Sequence, residues 1–324
     1  MKRYLMAAVL VLCLLLSSCG ENGEPVVQAT SRLSEAAGME EEQILLTMDG
    51  REVPAWRYLY WLGYACERVE DRYRESKLPL DWSTPVAGGT LADYVKDQAL
   101  ADTALYAAVE NWAERYNCTP AESETEPPAL PDMGLSLTQM EELEQVGRMY
   151  AALYELYCTE GSELAPTEDE LAAFGTEQGA VTLDRILIPV DGDREAAQKR
   201  SAEVFSRINS AEDQAAVFSM LATEGGDPLG PRTLLPETEE LEPELVEAAL
   251  TLEEGQCSGI LETEAGFSIL RRLPLETSVL KEAYFDHLLE TAAENSAVTT
   301  APEYVSLDAA EFAERFLTET EPLS

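Results

Sequence analysis

The stretch Val181–Pro189, VTLDRILIP, constrains the fold most, because its alternating and β-branched residues demand a strand. A strand needs partners, and the next ninety residues supply them. Arg194–Ile208 and Ala211–Ala222 have helical spacing, the second introduced by Ser210 and Asp213 in capping-box spacing. The passage GGDPLGPRTLLP reads as a loop, followed by a short helix from Pro243 to Leu250 and a turn at Glu254 and Gly255. Two last strands, about Cys257–Glu262 and Phe267–Leu273, are joined by a turn through Ala265 and Gly266. The order strand, two helices, loop, helix, two strands predicts a compact α/β unit that closes into a small mixed sheet.

On either side the period changes from two to between three and four. After a short apolar stretch around a turn at Asp49 and Gly50, a helix starts behind Pro54, with Tyr58, Leu62, Ala65, Val69 and Tyr73 as its stripe. A second helix opens at Thr90 with Asp93 three residues on, and its stripe runs Tyr94, Ala101, Leu105, Ala108, Trp112. A third, from about Ser136, carries Leu143, Val146, Tyr150, Leu153 and Tyr157, and Pro166, Thr167 and Glu170 begin a shorter one. None of these helices can bury its stripe alone. Beyond Pro274 helical spacing returns, with Leu280, Tyr284, His287, Leu288 and Ala292 on one face and Phe312 and Phe316 further on. This tail is expected to fold back on the first helices, which makes the chain α+β: a helical domain interrupted by an α/β insertion. The expected boundaries are 43–175 for the helical domain, 178–275 for the insertion and 276–324 for the tail.

Lys2 and Arg3 precede an apolar run from Leu5 to Leu16, the pattern of a secretory signal. About twelve apolar residues are too few for a membrane span, which needs roughly twenty. The string LSSC before Gly20 resembles a lipobox, which implies cleavage after residue 18, a lipid on the thiol of Cys19 and a position on the outer face of the cell membrane. Residues 19–42 read as a flexible polar tether. The formal charge is -40, and loss of Lys2 and Arg3 with the signal brings it to -42. Nucleic acid is therefore excluded as a partner, since phosphate contacts need clustered Lys and Arg. Such acidity keeps a surface protein soluble, or attracts cationic polypeptides.

Cys66, Cys118, Cys158 and Cys257 form no C-x-x-C pair and have no neighbouring His, so zinc and redox readings are weak, and disulfides and buried free thiols both remain open. No metal or other cofactor is expected. The chain's one histidine leaves no His cluster, and no nucleophile elbow or phosphate-binding glycine pattern is present. Asp191, Gly192 and Asp193 fall short of a calcium loop and read as a turn before a helix.

The strand DRILIP, the segment EGGDPLG and the string EPELVEAALTLEEGQCSGILETEAGFSIL, in that order, resemble the parvulin or PpiC-type peptidyl-prolyl isomerase family over residues 178–275. The flanking helices are more loosely similar to the chaperone domain of PrsA- and SurA-like foldases. The resemblance implies rotation about X-Pro bonds of unfolded or newly secreted polypeptides, with no cofactor. It places Leu241 and Leu245 where the family has the apolar wall of its proline pocket, although core packing of a short helix would use them equally. Arg185 and Ser268 stand where the family has two histidines, and Thr223 or Glu224 lies near its Cys or Asp position. With both histidines replaced, the resemblance implies isomerase activity that is weak or lost, and a holding chaperone is the alternative. His287, in the tail, reads as structural.

Overall fold

A computed structural model of the chain describes residues 31–119, 130–131, 133–225, 230–235 and 242–318. The signal segment, the lipid-accepting Cys19 and the tether up to residue 30 lie outside the described residues. The chain forms two compact units, the first made of residues 1–162 and 286–324 and the second of Glu163–Phe285.

The first unit begins earlier than expected. Within the stretch read as tether, Arg32–Ala37 form a helix, α1, capped by the Ser31 side chain at one end and by Gly38 at φ 66° at the other. Leu33 on it has no exposed surface and joins the core with Trp56, Leu62 and Phe316. The correction has a simple origin, since a helix of six residues is too short for its periodicity to show. Next come β1, Ile44–Met48, and β2, Arg51–Pro54, paired antiparallel through Asp49 and Gly50. Both turn residues have positive φ, at 49° and 87°, as a two-residue hairpin requires.

α2, Ala55–Glu75, buries nearly its whole circumference from Ala55 to Gly63, with Trp56, Tyr60 and Trp61 widening the stripe, and narrows to one side beyond. A Cβ on Gly63 would come within 3.0 Å of Leu33 and of Phe316, so its hydrogen lets two other elements close on α2. A short ribbon, β3 Pro85–Val86 with β4 Gly89–Thr90, leads into α3, Leu91–Arg115, whose capping box joins Thr90 and Asp93. The buried face of α3 is Val95, Ala99, Thr103, Ala107 and their neighbours, not the bulkier Tyr94, Ala101, Leu105, Trp112 face expected. Small side chains let α3 lie close against α2, while larger ones pack at the flank, as Tyr106 does against Trp61 with ring centroids 4.6 Å apart. α4, Leu137–Cys158, carries its own capping box, Ser136 with Gln139, and buries Leu143, Val146, Leu153 and Tyr157.

In the second unit α5, Glu168–Glu177, is capped by Thr167 and Glu170. β5 then occupies Val181–Pro189, and α6, Arg194–Asn209, follows from the N-cap Asp193. α7 spans Gln214–Gly225 and starts later than the Ser210 reading, because Asp213 itself caps it by accepting the Ala216 N–H at 2.9 Å. The passage read as loop contains a strand, β6, Arg232–Leu234, and is followed by α8, Pro243–Thr251. β7, Leu261–Thr263, is shorter than expected, Cys257 making only an isolated bridge to Arg271, and β8 covers Gly266–Leu273. The four-stranded order is β6-β5-β8-β7, and every pair is antiparallel, which corrects the mixed sheet. Gly266 begins β8 at φ 142°, and a Cβ there would stand 2.3 Å from the Ile188 carbonyl oxygen.

After a 3-10 turn at Thr277–Leu280, α9, Lys281–Glu294, buries Phe285 and Leu289, whereas Tyr284, His287 and Leu288 stay half-exposed. β9, Val298–Thr300, joins the first hairpin to give the order β2-β1-β9. α10, Pro302–Ser306, and α11, Ala309–Thr318, complete the first unit, with Phe312 and Phe316 in the same core as Leu33 and Trp56. Among the described residues no helix is long and apolar enough to cross a membrane. Cys66, Cys118, Cys158 and Cys257 are free thiols.

Candidate active site

The two faces of the second unit's sheet are assigned by their packing. Val181, Leu183, Leu234 and Leu270 meet Leu245, Val246 and Ala249 of α8. Ile186, Ile188, Phe267 and Ile269 meet Ala197, Ile208, Phe218 and Leu221 of α6 and α7 on the other side. Side chains alternate along a strand, so Arg185 and Leu187 share the α8 face with Leu183, and Ser268 shares it with Leu270. The register agrees, pairing Arg185 with Leu270 and Leu187 with Ser268. Arg185, Ser268 and Leu245 therefore belong to one face of one sheet, though far apart in sequence.

Each has a different environment on that face. Ser268 has no exposed surface, and its hydroxyl has no hydrogen-bond partner among the described residues. Leaving a hydroxyl unpaired in the interior costs about 1–3 kcal/mol. Arg185 keeps 13% of its side chain exposed and places a guanidinium nitrogen 3.7 Å from the Glu242 carboxylate, just ahead of α8. Leu245 is fully buried and fills the space between α8 and the sheet. It acts there as core, and a client could reach it only if α8 moved. Leu241 lies outside the described residues.

Thr223 and Glu224 sit at the end of α7, the helix that packs on the opposite face, and the Thr223 hydroxyl donates to the Ser219 carbonyl at 2.9 Å. His287 belongs to α9, outside this sheet. Cys257 is half-buried with the α6 and α7 cluster, where burial pushes its thiol pKa up against the opposing pull of Arg271.

Three residues on this face escaped the sequence reading. Leu187 and Leu261 flank Ser268 across the two ladders and are both partly exposed. Alternation from Arg185 pointed to Leu187; Leu261 needed the register. Arg232 stands across from Leu183 on β6, inside the passage read as loop. The face thus offers leucine side chains, a buried hydroxyl and two guanidinium groups. It can desolvate an amide and hydrogen-bond it, but it holds no pair of groups arranged to pass a proton. Among the described residues no cluster of three metal-ligating side chains occurs.

Residues 185–273 match the family model described as Rotamase, PPIC-type PPIASE domain. No curated protein matches the chain. Among solved structures, foldase protein PrsA from Streptococcus pneumoniae is similar at 13% identity and TM-score 0.27, over 87% of this chain and 96% of that one. A peptidylprolyl isomerase (PrsA) from Bacillus cereus is similar at 14% identity and TM-score 0.26, over 88% and 95%. A SurA-like chaperone structure from Campylobacter jejuni follows at 10% identity and TM-score 0.17, over 80% and 99%.

Proposed function

Because a PPIC-type domain occupies residues 185–273, we propose that this protein is an extracytoplasmic foldase, held on the membrane by a lipid at Cys19 and acting on unfolded or newly secreted polypeptides that contain X-Pro bonds. The observation that carries the reading is the family match coinciding with one sheet face that gathers Arg185, Leu187, Leu261 and Ser268. An X-Pro bond crosses a barrier of about 18–20 kcal/mol, at which unaided isomerisation takes tens of seconds or longer. The twisted amide has lost its conjugation. A face that removes water and holds the proline ring favours it over the planar form without covalent chemistry. Leu187 and Leu261 supply the apolar contact, and Arg185 supplies the donor near the carbonyl that precedes the proline.

The activity is weak. Neither family histidine is present, the Ser268 hydroxyl is enclosed, and Leu245 belongs to the core. The same observations support a second reading, in which the domain binds without turning over and the protein is a holding chaperone.

Protease-coupled isomerisation of an X-Pro peptide by the full chain separates the two. Acceleration that disappears in Leu187→Lys establishes the foldase; suppression of client aggregation with no acceleration in either form leaves the holding role. Release from membranes in a Cys19→Ser variant tests the anchor.

A further inference from the structure

The helical unit contains a three-stranded sheet, β2-β1-β9, whose two edges are unlike. β2 is guarded. It carries Arg51 and Glu52, ends at Pro54, and its arginine is bonded to Asn111 at 2.8 Å and to Glu114 at 3.1 Å. Charges and proline are common devices by which edges resist pairing. β9 has none of them within its three residues, Val298, Thr299 and Thr300, all β-branched and all exposed.

The direction of its backbone groups follows from two hydrogen bonds and the alternation of an antiparallel ladder. Asp49 donates its N–H to the Ala297 carbonyl at 3.1 Å, and the Ala301 N–H donates to the Leu45 carbonyl at 2.9 Å. Residues 297 and 301 are therefore bonded positions, and so is Thr299 between them, opposite Thr47. Val298 and Thr300, opposite Met48 and Leu46, are the unbonded positions, and their N–H and C=O groups point away from the sheet. Their side chains lie on the side of the buried Met48 and Leu46, yet Val298 is 39% exposed. The core stops short of this edge.

The charge around the edge is one-sided. Asp49, Glu294 and Glu303 flank it in exposed positions, and the chain has no Lys or Arg between Lys281 and Arg315. Lys96 contributes little positive surface here, because its ammonium donates to the carbonyls of Tyr304 and Leu307 at 3.0 and 2.8 Å.

We propose that β9 is a strand-addition site for an extended, cationic polypeptide segment, which pairs its backbone with the outward N–H and C=O groups of Val298 and Thr300. Backbone pairing is indifferent to client sequence, whereas a second copy of this chain would bring the same acidic flanks against each other. The proposal rests on the foldase reading for the identity of the client, and it assigns client capture to a place outside the PPIC-type domain.

The test is binding of a lysine-flanked Val/Thr peptide without proline to the full chain, followed by fluorescence anisotropy. Val298→Pro with Thr300→Pro removes only outward donors, so the ladder to β1 survives. Affinity is expected to fall about tenfold, the equivalent of two ordinary backbone hydrogen bonds. The same loss is expected when alternate amides of the peptide are N-methylated. Should the double variant lose its thermal transition, Thr299→Lys, which sets a like charge against the peptide on the exposed edge, with the N-methylated peptide replaces it. Undiminished binding in these variants, or indifference to N-methylation, overturns the proposal. Concentration-dependent dimers that the proline variant abolishes would also overturn it, by giving the edge to a second copy. Isomerisation by the Leu187→Lys protein is read in parallel; its loss with peptide binding intact separates the two sites.

Discussion

Ser268 stands directly across from Leu187 in the ladder between β5 and β8, completely enclosed, with a hydroxyl that has no partner among the described residues. At the position that the resemblance to the parvulin family assigns to a histidine, the chain therefore has a small group in a closed space. Ser268→Ala removes an unsatisfied donor without creating a sizeable cavity, and it is expected to raise stability by about 0.5–1.5 kcal/mol. Ser268→His overfills the same space and should cost about 1–3 kcal/mol. Urea titrations of the two variants check both signs. A stable histidine variant would show that the face is open.

With no histidine in residues 185–273, no imidazole titrates on this face. Any acceleration of X-Pro isomerisation should stay constant between about pH 6 and 8, where imidazoles change charge. A rate that changes two- to threefold across that range would place a titrating group in the mechanism.

Glu41 ties the start of α1 to the start of α4. Its carboxylate accepts the Ser31 N–H at 2.8 Å, the Ser34 hydroxyl at 3.4 Å and the Gln139 amide at 3.3 Å. Burial alone would raise its pKa, but these bonds outweigh burial and leave it below the usual carboxylate value. A depressed folded-state pKa gives stability that is present above the unfolded pKa of about 4.3 and is lost as pH falls through the lower folded value. Glu41→Ala should therefore lower the melting temperature at pH 7, while the gap to the parent narrows below about pH 4.

Asp102, on α3, is the opposite case. Burial raises it, against the pull of Arg68, to about 6. The folded state then binds the proton more tightly than the unfolded one, so stability falls as pH rises from about 4 to 6 and the full penalty persists above. Asp102→Asn is expected to be the more stable protein at pH 7.5 by about 1–2 kcal/mol, after allowance for solvent, and to lose that advantage near pH 4. Thermal melts at the two pH values check the crossing.

Leu33 is fully buried although it belongs to a stretch that reads as tether. Leu33→Ala should cost about 2–5 kcal/mol. Limited proteolysis of the parent should spare residues 31–42. Cleavage near Gln43 without loss of stability would show that α1 is dispensable.

Local signals were legible where one residue's chemistry decides the structure. Thr90 with Asp93 and Thr167 with Glu170 mark helix starts because each pair closes its bonds within a single turn, and the structure contains both capping boxes. Asp49 and Gly50 mark a hairpin because few residues tolerate positive φ twice in succession. The nine residues of β5 stood out because apolar and β-branched residues occur on both of its faces, interrupted by Asp184 and Arg185. β6 and β9, three residues each, gave no period to read.

What a sequence alone could not supply is which side of an element meets a neighbour. The buried face of α3 was decided by packing against its neighbours, with Ala99 and Ala107 innermost and Tyr106 against Trp61 at the flank. The α8 face of the sheet was decided by register, which brings Arg185 beside Leu270 and Leu187 beside Ser268 across more than eighty residues. Composition, caps, turns and the order of elements are local and were fixed before folding. The enclosure of Ser268, the burial of Leu245 and the open edge at β9 depend on distant chain segments competing for the same space, and only the tertiary structure resolves that competition.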